Sequence, residues 1–223
     1  MYYIVKMTDV IWIVPLKYIV QIKLQEHIRE MLTTSFQYND HPDSNVNPPC
    51  DFHFTESTND YCALYIRSSP YSVNELPYYC TTILPHIVGC CMMGLIENRN
   101  KMIIYNLCSI ERRKGYIRKL MNHVIEWSIP VCSIISLDVY LYNSYIDYII
   151  PFYLELGFRF QTFYKQGTIL HFEMDQHQWG HPSEQTYLMI LQIGLELMPS
   201  IYNSTRTRLQ LLYERNMVIQ SHL

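Results

Sequence analysis

Met102-Ile103-Ile104-Tyr105-Asn106-Leu107-Cys108-Ser109-Ile110, then Glu111-Arg112-Arg113-Lys114, then Gly115-Tyr116-Ile117-Arg118-Lys119-Leu120-Met121, is the stretch from which the fold of this chain is read. The first part is an apolar run with β-branched and aromatic residues and reads as a strand over 102–110. From Gly115 to Ser128 the apolar residues Ile117, Leu120, Met121, Val124 and Ile125 recur at i, i+3, i+4, i+7 and i+8, an amphipathic helix. Arg118, Lys119, Asn122, His123 and Glu126 make its wet face, and Pro130 blocks its continuation. The basic turn between them, Arg112-Arg113-Lys114-Gly115, therefore joins a strand to a helix N-terminus. That arrangement attracts anions. Backbone amides without acceptors and the positive helix end face one point, glycine lets an anion approach the backbone, and three cationic side chains add charge. A basic surface turn at a helix start has the same local pattern, so the neighbouring elements must decide between the two.

Working outward, Ile87–Ile96 reads as a strand and Asn98-Arg99-Asn100 as the turn of a hairpin into 102–110. Downstream, Ile135, Leu137, Val139 and Leu141 alternate with Ser136, Asp138, Tyr140 and Tyr142, the period of a strand. Asn143-Ser144 opens a second helix. Ser144 and Asp147 stand at capping-box spacing, and Gly157 stands where a C-terminal glycine belongs. Pro151 within it predicts a kink. Residues 158–164 and 168–174 flank Gly167 and read as a closing hairpin. Nearer the N-terminus, 2–7 reads as a strand, 16–32 as a helix, 37–49 as a loop rich in Asn, Asp and Pro, and 62–66 and 78–83 as strands. In 176–223 a strand or a helix fits Ile193, Leu195 and Leu197, and a terminal helix fits Leu209, Leu212 and Tyr213. No internal repeat is visible.

Composition sets the outer bounds. With 223 residues, 49% hydrophobic and only 17% charged, the chain can bury a sizeable core and is no disordered tail. Seventeen Lys and Arg against 20 Asp and Glu leave a net charge of −3, so no bulk positive field exists to hold nucleic acid. Seven cysteines, an odd number with no CxxC pair and several in apolar runs, read as reduced, buried, intracellular thiols. His177 and His181 have ligand-like spacing but no cysteine pair beside them, so no metal is expected. The apolar run Val10–Leu16 is too short to span a bilayer, and Asp9 and Pro15 argue against a signal peptide. The expectation is a soluble, cytoplasmic protein with no membrane partner.

Three motifs occur in order on the predicted elements. Arg112, Gly115 and Ile117 fall in an Arg-x-x-Gly-x-x turn after one strand. Asn143 ends the next strand. Tyr153 stands four residues before Gly157-Phe158 at the end of the next helix. Together they resemble the GCN5-related N-acetyltransferase (GNAT) superfamily over about residues 86–174. The chain departs from that pattern at Ile117, where a small residue is usual, and at Ser109, where a proline often stands. The resemblance implies an α/β (α+β) fold: a central mixed, mostly antiparallel sheet flanked by helices. Residues 1–175 would form one domain with its motif-bearing core at 86–174, and 176–223 an extension packing on the same domain. The Ile-, Tyr- and Asn-rich composition also resembles that of proteins of large cytoplasmic DNA viruses, which would mean the host cytoplasm.

The family reaction moves an acetyl group from acetyl-CoA to an amine. By resemblance, the amides of Arg113, Lys114, Gly115, Tyr116 and Ile117 would take the pyrophosphate. Leu107, Cys108, Ser109 and Ile110 would pair backbone groups with the pantetheine arm. Asn143 would contact the pantetheine or cap the following helix. From their charge, Arg112, Arg113 and Lys114 suit the adenosine 3′-phosphate. Tyr153 is the candidate acid, since a phenol can protonate the departing thiolate. No base is assigned. Glu111 and Asp138 could act through water, and His86, His171 and Glu173 are further titratable groups. The acceptor is an amine of a protein or a small molecule, and the resemblance leaves room for a homodimer. The competing reading is a GNAT-like scaffold that binds CoA or a protein and has lost catalysis.

Overall fold

The computed structural model describes residues 8–19, 22–37, 59–96, 100–111, 114–140, 146–164, 169–175, 210–211 and 213–214. The chain divides into two compact units, Met1–Tyr38 with Asp43–Cys132, and Asn39–Pro42 with Ser133–Leu223.

In the first unit, β1 (Thr8–Pro15), β2 (Asp60–Ser69), β3 (Ile87–Ile96) and β4 (Lys101–Ser109) form antiparallel neighbours in that order. β1 occupies the apolar run that begins at Val10: Trp12 and Val14 alternate inward, as a half-buried strand requires. The expected strand at 2–7 lies outside the described residues. The expected helix at 16–32 is corrected. Pro15 is extended, Leu16–Tyr18 make one 3₁₀ turn, and α1 runs Ile22–Gln37. Its buried stripe is Leu24, Ile28, Met31 and Leu32, at i, i+4, i+7 and i+8, while Leu16 and Ile19 reach the core from the turn. Each such side chain contributes about 1.5–3 kcal/mol by leaving water.

The expected strand at 78–83 is also corrected. Leu76–Tyr78 and Leu84–His86 are 3₁₀ turns around α2 (Cys80–Ile83). Pro77 and Pro85 stand in the opening positions of those turns, where a fixed φ suits a helical start and the missing N–H rules out a sheet ladder.

β3 is buried without interruption from Ile87 to Gly94 because both of its faces are covered. Cys62, Leu64, Cys90 and Cys108 share a core cluster with α1, which packs on β3 and β4. Tyr65 points the other way, to α3 (Tyr116–Ser128), which lies across β1–β4 and buries Leu120, Met121 and Val124. α3 matches its sequence reading, and Gly115 proves to be its N-cap.

In the second unit, β7 (Ile169–Asp175) pairs antiparallel with β5 (Ile134–Tyr140) on one side and β6 (Arg159–Tyr164) on the other. Ile135, Leu137 and Val139 oppose Met174, Phe172 and Leu170, giving one buried face. α4 (Ile146–Glu155) buries Ile150 and Leu154 and sets Tyr153 beside Phe172. Pro151 sits inside α4, which continues through it. α4 ends in a Schellman motif. Gly157, at φ +101°, donates to the Leu154 carbonyl at 3.0 Å, and Phe158 N–H donates to the Tyr153 carbonyl at 3.0 Å. Tyr153 and Phe158 make the hydrophobic contact that accompanies this motif, their rings edge to face at 5.7 Å.

Among the described residues, seven strands, paired antiparallel within each unit, with helices against them, make the mostly antiparallel α/β architecture expected from the sequence. Of the C-terminal segment 176–223, residues 210, 211, 213 and 214 are described and are helical, with Gln210 donating to Glu214 at 2.6 Å. The strand-or-helix question at 193–197 lies outside the described residues. Among the described residues, no helix is long and apolar enough to cross a membrane.

Candidate anion site at the start of α3

β4 delivers the chain to the basic turn in a defined geometry. Ser109, where a proline often stands in the resembled family, anchors the turn with its hydroxyl: Oγ donates to the Val88 carbonyl at 2.8 Å and accepts from Glu111 N–H at 3.3 Å. Ile110 N–H donates to the same Val88 carbonyl at 3.1 Å. A hydroxyl thus ties β4 to β3 at the position where ring closure would have restricted the chain.

Gly115 carries φ +76° and ψ 5°, a left-handed conformation that L side chains disfavour. Its carbonyl accepts Lys119 N–H at 3.1 Å, so α3 begins immediately after it. Gly115 is exposed, and a Cβ built on it would meet nothing within 4 Å among the described residues. Among the described residues, no acidic residue occupies the first turn of α3 and no side chain caps it, which leaves its amides and the positive helix end to attract an anion. Lys114 is exposed beside it. These are the conditions a bound phosphate needs. Arg112, Arg113 and Asn143 lie outside the described residues.

Ile117 does not crowd this opening. Its Cδ1 lies 3.8 Å from the place where a Gly89 Cβ would be, so it settles over the bare backbone of β3. A Gly89 Cβ would also come within 3.3 Å of the Cys108 carbonyl. Gly89 is thus the counterpart of the departure at Ile117, and only the pairing of the two elements reveals it.

Two polar clusters hold α3 down beside the opening. Arg67 Nη1 donates to Glu111 Oε1 at 2.5 Å and to Tyr116 Oη at 3.3 Å. Glu111, a candidate base, is therefore held in an ion pair. Tyr65 Oη donates to Asp9 Oδ2 at 2.6 Å and accepts from Lys119 Nζ at 3.2 Å, while Asp9 Oδ1 accepts the N–H of Ser68 at 3.2 Å. Ser68 is itself left-handed, at φ 51°, in the bulge where β2 shifts register against β1.

The Tyr65 hydrogen bond holds the Asp9 carboxyl below its ordinary 3.8, and burial with that same bond pushes the Tyr65 phenol up. Because the folded value is depressed, the Asp9 contribution is present above the ordinary value and is lost as pH falls through the lower one. Urea unfolding should therefore find Asp9→Asn less stable than the parent at neutral pH. The gap should narrow as pH falls from neutral to below the ordinary carboxylate value of 3.8, as Asp9 takes up its proton. A gap unchanged between those pH values would refute this coupling.

β4 itself contains a feature the sequence did not announce. Met92 opposes Asn106 and Met93 opposes Ile104, so Tyr105 is the extra residue of a bulge. Before the bulge, Met102 and Ile104 lie on the face of Met93 and Leu95; after it, Asn106 and Cys108 lie on the opposite face, with Met92 and Cys90. Of the predicted pantetheine residues, Cys108 therefore faces the core with α1, Leu107 faces the other side with Cys91, and Ser109 and Ile110 form the exit to the turn.

In the second unit, the candidate acid Tyr153 is half-buried among Phe152, Phe158 and Phe172, with ring centroids at 5.2, 5.7 and 6.5 Å. On the face opposite α4, Asp138 and His171 are cross-strand partners. His171 Nδ1 faces Asp138 Oδ1 at 2.7 Å and its Nε2 faces Glu173 Oε1 at 3.2 Å. Register thus joins three residues that the sequence offers only singly. His86 lies in the first unit, with Nδ1 donating to the Arg67 carbonyl at 3.2 Å. Among the described residues, no group of three or more His, Cys, Asp or Glu is placed to hold a metal ion.

No family model and no curated protein sequence matches this chain. Solved structures do match in fold. A proposed acetyltransferase of the GNAT family from Desulfovibrio desulfuricans superposes with a TM-score of 0.53 at 11% identity, covering 76% of this chain and 99% of that one. A proposed N-acetyltransferase from Lactobacillus plantarum superposes with a TM-score of 0.52 at 11% identity, again covering 76% and 99%. The chain has the fold of these acetyltransferases.

Proposed function

We propose that this chain is an acyl-CoA N-acyltransferase that moves an acetyl group from acetyl-CoA to an amine of a protein or small molecule by direct attack, working in the cytoplasm. The observation that carries the reading is Gly115. An exposed, left-handed glycine starts a helix free of first-turn acids, at the end of the turn that follows β4, in a chain with the GNAT fold. Acetyl-CoA supplies the acetyl group as a thioester, already activated toward amines. The amides at Gly115, Tyr116 and Ile117 bind its pyrophosphate, with Arg112, Arg113 and Lys114 supplying charge. Backbone groups of Leu107–Ile110 orient the pantetheine arm, with Asn143 as a further contact. Tyr153 holds the proton that the departing thiolate takes.

Isothermal titration with acetyl-CoA and then desulpho-CoA tests the binding half, and a panel of peptide and small-molecule amines tests the chemistry. Saturable binding of both nucleotides with acetyl transfer to at least one amine is the expected result. Binding with no transfer across the panel would favour a CoA-binding scaffold, and absence of binding would overturn the reading.

A further inference from the structure

We infer that Cys90 and Cys108 are a redox-active thiol pair that an oxidant of the peroxide class converts into a disulfide bridging β3 and β4. The two are directly opposed in the β3–β4 register, and their sulfurs lie 3.3 Å apart. Ile110 N–H donates to the Val88 carbonyl, which marks Val88 and Ile110 as a hydrogen-bonded pair. Counting two residues along the antiparallel ladder makes Cys90–Cys108 such a pair again, with Cα atoms about 5.5 Å apart. That separation lies in the range a disulfide spans, and the sulfurs need to close by only about 1.3 Å.

In the same ladders Cys62 opposes Met92, and Cys91 opposes Ala63 and Leu107, so neither faces another cysteine. Cys90 and Cys108 are both thiols, not bridged. Cys108 is the more exposed of the pair, at 4% against 0% for Cys90. Its hydrogen bond and burial push the Cys90 thiol up. Cys108 is therefore the thiol that reacts first and Cys90 the one that resolves.

The step balances. The Cys108 thiolate attacks one peroxide oxygen and breaks the O–O bond, giving a sulfenic acid and hydroxide. The Cys90 thiolate then attacks that sulfur, forms the S–S bond and expels a second hydroxide. The two thiol protons convert both hydroxides to water. The sulfurs together lose two electrons and hydrogen peroxide gains them. Burial keeps the thiolate fraction low, so the reaction proceeds over minutes to hours and faster at higher pH.

The test treats the folded full-length chain with a tenfold excess of hydrogen peroxide, removes the excess with catalase, and alkylates in denaturant before mass spectrometry. The expected result is a loss of 2 Da, two fewer alkylated thiols than the seven cysteines of the reduced chain, and one linked peptide pair joining Cys90 to Cys108. Dithiothreitol should restore full alkylation. In Cys90→Ala, Cys108 should instead stop at a sulfenic acid that dimedone traps. Full alkylation after peroxide, or bridges that avoid this pair, would overturn the inference. The map of the parent chain decides this even where the variant does not fold.

Discussion

Tyr153→Phe is expected to lower the rate of acetyl transfer by ~10²- to 10⁴-fold, the span for losing a positioned general acid. The proton is needed only as the thiolate forms, so affinity for acetyl-CoA should change little, and the loss should fall on turnover. Packing isolates the hydroxyl as the variable. The ring contacts with Phe152, Phe158 and Phe172 belong to the aromatic plane and survive in phenylalanine. The Tyr153 carbonyl, which accepts Phe158 N–H in the Schellman motif, is backbone and survives as well. Single-turnover kinetics with a responsive amine measures the effect, and equal rates for variant and parent would remove Tyr153 from the chemistry.

Gly115→Val should weaken acetyl-CoA binding by ~10- to 100-fold, the equivalent of about 1.4–2.7 kcal/mol. A left-handed residue costs about 1–2 kcal/mol once it carries a Cβ, and a β-branched side chain tolerates that region least. Among the described residues nothing lies within 4 Å of the new Cβ, so its cost is one of backbone conformation rather than collision. The variant must either carry the strain or swing the first-turn amides out of line. Melting temperature should fall by only a few degrees, since about 1 kcal/mol shifts a chain of this size by about 2–4 °C. Gly115→Asn, which accepts the left-handed region better, should lie between the two in affinity. Titration showing parent-like affinity in the valine variant would remove the principal support for the acyltransferase reading.

The elements around the basic turn were legible because their periodicities are clean. α3 has an unbroken apolar stripe, β5 alternates with period two, and the end of α4 spells a Schellman motif in Tyr153, Gly157 and Phe158. The N-terminal elements were harder to read. Val10–Leu16 reads only as an apolar run too short to span a bilayer, yet its Trp12 and Val14 bury as a strand beside β2. Residues 76–86 contain enough Tyr, Ile and Leu to resemble a strand, but Pro77 and Pro85 turn them into short helical pieces.

Local chemistry alone therefore determined where the chain turns basic before a helix, which helix face is apolar, and where glycine must end α4. Each depends on spacing within a few residues, and spacing is what a sequence records. Pairing decided the rest. The bulge at Tyr105 reverses which side of β4 each later residue faces, although Met102, Ile104, Asn106 and Cys108 alternate evenly in sequence. Cys90 meets Cys108 and Asp138 meets His171 only because their strands adopt one register, and Ile117 finds its space over Gly89 only because α3 packs on β3. A shift of one residue would turn each side chain to the opposite face, and turns, bulges and burial of the whole sheet select against that shift.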